Sequence, residues 1–331
     1  MKTLITGGTG YIGGRLVELL LSRGEEVVVF GLPGTLESDA RKKGVVVCEG
    51  DVRDAAAVRR AMSGCSRVYH LAAYARNWAR NANLFFEVNV GGTQTVLQVA
   101  LDRGVERVLH VSSNVVLGPS NGVCVCEDAP RVSDFLTPYE RSKLASDEVA
   151  RTFALRGLDV VLVCPSRVFG PGLAGESNSV TKLIQLYLAG RWRFIPGNGT
   201  SVGNYVYVED LVRGMVLAME SGRRGERYIL GGSNLSFDEF FDQIRRVSGK
   251  RYSLAHLPAW MALAYSYAEN ARARWLGGYP TVTPGWVRTF LGNWANSIEK
   301  AQTELGYMCT PFDIALKNTI DWIQCQAGSR S

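Results

Sequence analysis

Tyr139 and Lys143 stand four residues apart in the stretch Tyr139-Glu140-Arg141-Ser142-Lys143. On a helix, residues i and i+4 share a face, so this spacing turns the phenol and the ammonium the same way. An ammonium near a phenol favours the phenolate, and a tyrosine moved from about 10 toward about 7 is suited to proton transfer at neutral pH. The expectation is a Tyr139 whose pKa is lowered by Lys143. Upstream, His110-Val111-Ser112-Ser113-Asn114 closes an apolar run with two hydroxyls. A serine there can donate to a carbonyl oxygen and to the tyrosine oxygen. At the amino terminus, Gly8, Gly10 and Gly13 fit G-x-G-x-x-G, and Gly7, Gly10 and Gly13 fit G-x-x-G-x-x-G. Either spacing lets the backbone turn sharply and approach a pyrophosphate at the positive end of the following helix.

These groups need a frame, and the sequence supplies one. Lys2 to Thr6 reads as a buried strand, and Arg15 to Leu21 carries apolar residues at helical spacing, ended by Gly24. Further strands are expected at Glu25–Phe30, Val45–Cys48, Arg67–Leu71, Val105–Ser112 and Leu158–Cys164. Helices are expected at 54–62, 84–103 and 139–156. Alternating strands and helices with near-continuous apolar runs predict a parallel sheet covered on both faces. The fold class is therefore α/β, a doubly wound parallel sheet (Rossmann fold), with a smaller, mostly helical substrate-binding lobe. Residues 1–164 form the dinucleotide-binding core. Residues 165–331 form mainly the lobe, with 205–231 returning to the core and a strand expected at Arg227–Leu230. From Tyr252 onward aromatics accumulate: Trp260, Tyr265, Tyr267, Trp275, Tyr279, Trp286 and Trp294. Most read as packing, with two or three reaching substrate.

At 46% hydrophobic and 21% charged, the 331-residue chain has an ordinary globular composition. Its 37 basic residues are scattered and give a net charge of +6, which reads as a solvated surface rather than a nucleic-acid site. The first strand begins at residue 2, leaving no room for a signal peptide, and a cytoplasmic protein is expected. The seven cysteines lack repeated spacing and read as free thiols. Cys124-Val125-Cys126 is too small a set to close a zinc site, and no metal is expected. Leu257–Ala268 is apolar but too short to span a bilayer, and is expected to cover the active site.

Together the motifs resemble the extended short-chain dehydrogenase/reductase family. They are Thr6 to Gly13, Gly50-Asp51-Val52, His70-Leu71-Ala72-Ala73, Asn89 to Thr93, Val111-Ser112-Ser113, Tyr139 to Lys143, Pro165 to Gly172, and Tyr205 to Asp210. The resemblance implies that Gly7, Gly10, Tyr11, Ile12 and Gly13 hold the cofactor's pyrophosphate end. It assigns Asp51 and Val52 to adenine, and Leu71, Ala72 and Ala73 to the cofactor cleft. Pro165 and Val168 would pack on the nicotinamide, and Asn89 would support an active-site water network. Ser113 would orient the substrate oxygen, favoured over Ser112 by alignment on Gly118. Tyr139 would be the general acid/base, and Lys143 would bind ribose. Tyr74, Trp78, Asn114 and Arg167 are the other candidate substrate contacts. Helices 84–103 and 139–156 form a dimer interface in many relatives, so a homodimer is implied.

Departures from the family pattern narrow the branch. Sugar-nucleotide dehydratases place Asp-Glu where Asn114-Val115 stand. Epimerases usually carry an arginine where Gly203 stands, a role that Arg191 or Arg193 could take over. Tyr74 to Trp78, Gly203-Asn204-Tyr205 and Gly231 to Ser236 resemble the dihydroflavonol-4-reductase-like and 3β-hydroxysteroid dehydrogenase-like branch. The implied activity is hydride transfer between nicotinamide and a secondary alcohol or ketone of a bulky apolar or aromatic small molecule. The alternatives are a nucleotide-sugar epimerase with tightly bound NAD and a non-catalytic dinucleotide sensor. Phe30-Gly31-Leu32-Pro33 lacks the acidic residue that would bind the ribose 2′-hydroxyl. Arg15, Arg41, Lys42 and Lys43 could meet a 2′-phosphate, so NADP(H) is favoured over NAD(H).

Overall fold

A computed structural model describes residues 1–34, 44–172 and 178–328. Its strands are β1 (Lys2–Thr6), β2 (Glu26–Gly31), β3 (Val46–Glu49), β4 (Arg67–His70), β5 (Arg107–Val111), β6 (Val160–Pro165), β7 (Arg167–Phe169), β8 (Phe194–Pro196), β9 (Val202–Tyr207), β10 (Arg227–Leu230), β11 (Ser233–Ser236) and β12 (Ala255–Leu257). Seven of them form one sheet in the order β10-β6-β5-β4-β1-β2-β3, every pairing parallel. The order reverses at β1, which lies between β2 and β4. Ligands bind at the carboxyl edge of such a switch point.

Alternation along each strand feeds two cores. Ile5, Val29, Leu109 and Val163 face helices Tyr11–Ser22 and Val208–Ser221 through Leu16, Leu20, Leu211 and Met215. Leu4, Val28, Val108 and Leu162 face the other way, onto Val58, Leu97, Ala150 and Phe153 of the opposite helices. Because both faces are covered, β6 is buried at every position, so its residues Val160-Val161-Leu162-Val163-Cys164-Pro165 need no polar alternation.

A second, three-stranded sheet runs in the order β11-β9-β7. Phe169, Tyr205, Phe237, Phe240 and Leu316 pack in a separate core around it. Here β7 leaves the end of β6 after Ser166 and pairs with β9, Arg167 opposite Tyr205. One expected helix is broken. Residues 84–103 form Asn83–Phe86, a π-helical turn at Glu87–Gly91, and Gly92–Arg103. At that turn the hydroxyl of Thr93 donates to the Asn89 carbonyl at 2.6 Å, and a side chain engaged with the backbone ladder favours such a bulge.

Leu257–Ala268 is not the cover expected of it. Leu257 ends β12, and the helix Ala259–Leu276 turns Trp260, Tyr265, Tyr267 and Trp275 to the exterior. The covering residues follow that helix. Tyr279 packs edge-on against Trp78 at 5.1 Å, and the helix Pro284–Leu291 brings Trp286 and Phe290 to the carboxyl edge. All seven cysteines are free thiols. Among the described residues no helix is long and apolar enough to cross a membrane.

Candidate active site

Tyr139 is fixed by the start of its helix. Thr137 caps Pro138–Leu155 by accepting from the Glu140 N–H at 3.2 Å, and Pro138 occupies the first turn. Buried Glu140 holds Arg131 at 2.7 Å and accepts from the Leu136 N–H at 3.1 Å. This anchors Tyr139 beside the end of β5. Pro165 and Val168 form another wall of the same cavity, whose volume is about 290 Å³. Ser113, Tyr139 and Lys143 border it, as do Ile12, Leu71, Ala73, Asn114 and Arg167. Sequence residues far apart thus meet at the switch-point edge.

The two serines separate cleanly. Ser113 lines the cavity beside Tyr139, and its hydroxyl favours the phenolate. Ser112 donates to Asp147 Oδ2 at 2.8 Å, in a buried network where Arg227 Nη2 lies 2.9 Å from the same oxygen and His110 Nε2 lies 3.3 Å from Oδ1. Burial pushes the Asp147 carboxyl up, but His110, Arg227 and Lys143 outweigh it and leave the group below its ordinary range.

The effect expected of Lys143 on Tyr139 does not arise from the protein's own groups. Burial, partly offset by the Ser113 hydroxyl, pushes the Tyr139 phenol up to about 12. Lys143 shares the helical face but is buried, and its ammonium donates to the Val111 carbonyl at 2.8 Å. Burial lowers its own pKa. A neutral phenol beside Ser113 is a proton donor, and burial holds it in that form at neutral pH.

The glycine loop fits a dinucleotide. Gly7 adopts φ +73°, and a Cβ on Gly13 would lie 2.2 Å from the Gly7 carbonyl oxygen. Gly10 caps the helix Tyr11–Ser22 without any side chain, leaving the first N–H groups for an anion. Gly8 is needed for another reason, since a Cβ there would meet Val29 of β2 at 2.9 Å. Ile12 reaches the cavity, whereas Tyr11 is buried and donates to the Gly170 carbonyl at 3.1 Å. Asp51 lies two residues past the end of β3, bound to Arg53 Nη2 at 2.7 Å, Val52 packs in the core, and Ala72 donates its N–H to Thr6 at 3.2 Å.

Other assignments shift. Asn89 is buried, accepts from the Tyr74 N–H at 2.7 Å and donates to Ser142 at 2.9 Å, so it braces the loop after β4 against the catalytic helix. Tyr74 and Trp78 do not border the cavity. The Tyr279 hydroxyl lies 2.9 Å from that of Tyr74 and donates to the Trp78 carbonyl at 3.0 Å, while Ala75, Arg76 and Asn77 form the wall. Asn114 borders the cavity with its amide donated to Asn296 at 2.7 Å. Arg15 pairs with Glu18 at 2.5 Å and with Glu209, which commits it away from any 2′-phosphate. Arg41, Lys42 and Lys43 lie outside the described residues. Arg191 and Arg193 are exposed and do not border the cavity. Sequence reasoning missed Phe290 and Val180, apolar wall residues whose helical spacing gave no sign of it. Trp286 and Trp294 are the two of the aromatic series that line the pocket.

The profile of the NAD dependent epimerase/dehydratase family matches residues 3–231. The chain belongs to this family, within the extended short-chain dehydrogenases/reductases. It is 31% identical to sterol demethylase protein B of Methylococcus capsulatus, over 98% of either chain. It is 27% identical to a putative dihydroflavonol 4-reductase of Synechocystis, over 97% of this chain and 94% of that one. Among solved structures it is similar to gox2253 (TM-score 0.81, 28% identity, 98% of both chains). It is also similar to the dTDP-glucose 4,6-dehydratase DesIV of Streptomyces venezuelae, solved with NAD (TM-score 0.79, 28% identity, 99% of this chain and 98% of that one). The protein is an enzyme of NAD-dependent epimerase/dehydratase type with a Rossmann core, in a family that binds NAD(H).

Proposed function

We propose that the enzyme is an NAD(P)(H)-dependent oxidoreductase acting on a secondary alcohol or ketone of a bulky apolar or aromatic small molecule. The placing of Ser113, Tyr139 and Lys143 together on a cavity walled by Trp286, Phe290 and Trp294 carries this proposal. The bound nicotinamide supplies hydride exchange at the substrate carbon. Ser113 polarises the carbonyl oxygen, and Tyr139 gives that oxygen its proton or takes it back. Lys143, which donates to the Val111 carbonyl, would meet the ribose. The apolar walls exclude water and suit a flat or apolar skeleton. Two relatives bear names that agree: sterol demethylase protein B, and 3beta-hydroxysteroid-dehydrogenase/decarboxylase isoform 2 of Arabidopsis thaliana, 28% identical over 99% of this chain and 63% of the relative. Elimination chemistry is disfavoured, because Asn114 is tied to Asn296 and Val115 has no acid to offer.

Strand β2 ends in Phe30 and Gly31, and Leu32 follows, with no carboxylate among them to repel a 2′-phosphate, so NADP(H) is favoured. Nucleotide-sugar epimerisation is the second reading, favoured by a cation beside Gly203 (Arg167, below). Incubation with NADPH or NADH and a panel of apolar ketones should consume reduced cofactor, faster with NADPH. A tenfold preference for NADH would contradict the cofactor assignment. NAD retained through purification, with sugar-nucleotide turnover and no net loss of reduced cofactor, would establish the epimerase instead.

A further inference from the structure

Arg167 lies at the start of β7, on the cavity wall, among three aromatic rings. Its guanidinium carbon is 4.7 Å from the ring centre of Phe290 and 5.6 Å from those of Phe237 and Tyr205. Nη1 donates to the Tyr205 hydroxyl at 3.3 Å. Nη2 is buried and has no hydrogen-bond partner among the described residues, and none of their carboxylates pairs with the group. Aromatic faces offset part of the cost of a desolvated cation, but a guanidinium presents five donors, and leaving them unmet in an apolar wall is unfavourable.

The fold makes room for this arginine. A Cβ on Gly203 would lie 2.4 Å from Arg167 Nη1, so only glycine in β9 leaves the space that the guanidinium fills. Lys143 and Arg167 border the cavity, and the one acidic side chain that does so among the described residues, Glu140, is paired with Arg131. The hydroxyl of Ser166, on the same wall, is also buried without a partner.

We infer that Arg167 anchors an anionic oxygen group, a carboxylate or a phosphate, on the otherwise apolar substrate. This deepens the proposed function, and rests on it for taking the Tyr139 cavity as the substrate pocket. The planar fork of arginine suits either anion, and pairing Nη2 with one removes the unmet donor. The substrate is then amphiphilic, with its skeleton against Trp286 and Phe290 and its charge at Arg167.

Calorimetric titration of the NADP+-loaded enzyme with 2-naphthoate, 2-naphthyl phosphate and neutral 2-naphthamide tests this without turnover. Wild type should bind at least one of the anions about tenfold or more tighter than the amide. Whichever anion binds tighter identifies the group. Arg167→Gln should abolish the difference with cofactor affinity kept, Arg167→Lys should restore part of it, and Gly203→Ala should weaken it by displacing the guanidinium. Equal binding of anion and amide by wild type would overturn the inference, even if the variants fail to fold. So would discrimination that survives Arg167→Gln. Since no hydride is transferred in this experiment, a failed ketone panel leaves the anion site standing, and absent discrimination with active turnover removes the anion site alone.

Discussion

At the residue scale, Tyr139 and Ser113 set the chemistry. The phenol is pushed up to about 12 by burial, and the Ser113 hydroxyl opposes that rise. A raised pKa keeps the phenol protonated across the neutral range, as ketone reduction requires. Alcohol oxidation needs the phenolate, so its rate should climb as pH rises above neutrality while reduction stays flat. Ser113→Ala removes the group that lowers the pKa, so the alkaline limb should move to still higher pH. It should also slow both directions by roughly 100-fold through loss of carbonyl polarisation. Parallel pH–rate profiles of wild type and Ser113→Ala check this, and an unmoved or acid-shifted limb would sever Ser113 from Tyr139. Tyr139, with Gly7, Gly10 and Gly13, was legible in the sequence because motif spacing encodes local geometry, whereas Ser113 was preferred over Ser112 only through the family resemblance. The partner of Lys143 was not legible. Sharing a helical face with Tyr139 says nothing of the Val111 carbonyl that a buried ammonium finds instead.

At the element scale, the helix Pro138–Leu155 is locked to β5 and β10 by a buried charge network centred on Asp147, whose side chain meets Ser112, His110 and Arg227. Asp147→Ala would leave the Arg227 guanidinium buried and unpaired. The expected loss is about 3–5 kcal/mol, read as a lower urea midpoint. A midpoint within experimental error of wild type would show that Arg227 finds other compensation. The first six strands were legible because short apolar, largely β-branched runs look alike wherever they occur, the partly exposed edge strand β3 included. Strands β7, β8 and β12 were not, since each has three residues and exists through a partner distant in sequence. The π-helical turn at Glu87–Gly91 was hidden for a related reason. Its apolar periodicity is helical, and only the hydrogen bonds of Asn89 and Thr93 distinguish it.

At the scale of the whole molecule, the lobe completes the site that the sheet begins. Tyr279 ties the loop after β4 to the segment that carries Trp286, Phe290 and Trp294, and β7 delivers Arg167 to the space beside Gly203. Arg167 and the reach of two or three late aromatics were legible along the chain, but the bond from Tyr279 to the loop after β4 and the space beside Gly203 were not. Tyr74 and Trp78 look like substrate contacts until Tyr279 occupies them. Homodimerisation through Asn83–Arg103 and Pro138–Leu155 follows from the family alone, and sedimentation equilibrium at micromolar concentration should show a dimer, with a monomer contradicting it. The central claim is that Tyr139 transfers the proton in a nicotinamide-dependent hydride exchange. Its most direct test is the turnover of Tyr139→Phe, followed by reduced-cofactor absorbance on the ketone panel, beside cofactor affinity. Turnover lower by about 100-fold or more with cofactor affinity unchanged is the predicted result; turnover equal to wild type would contradict the mechanism.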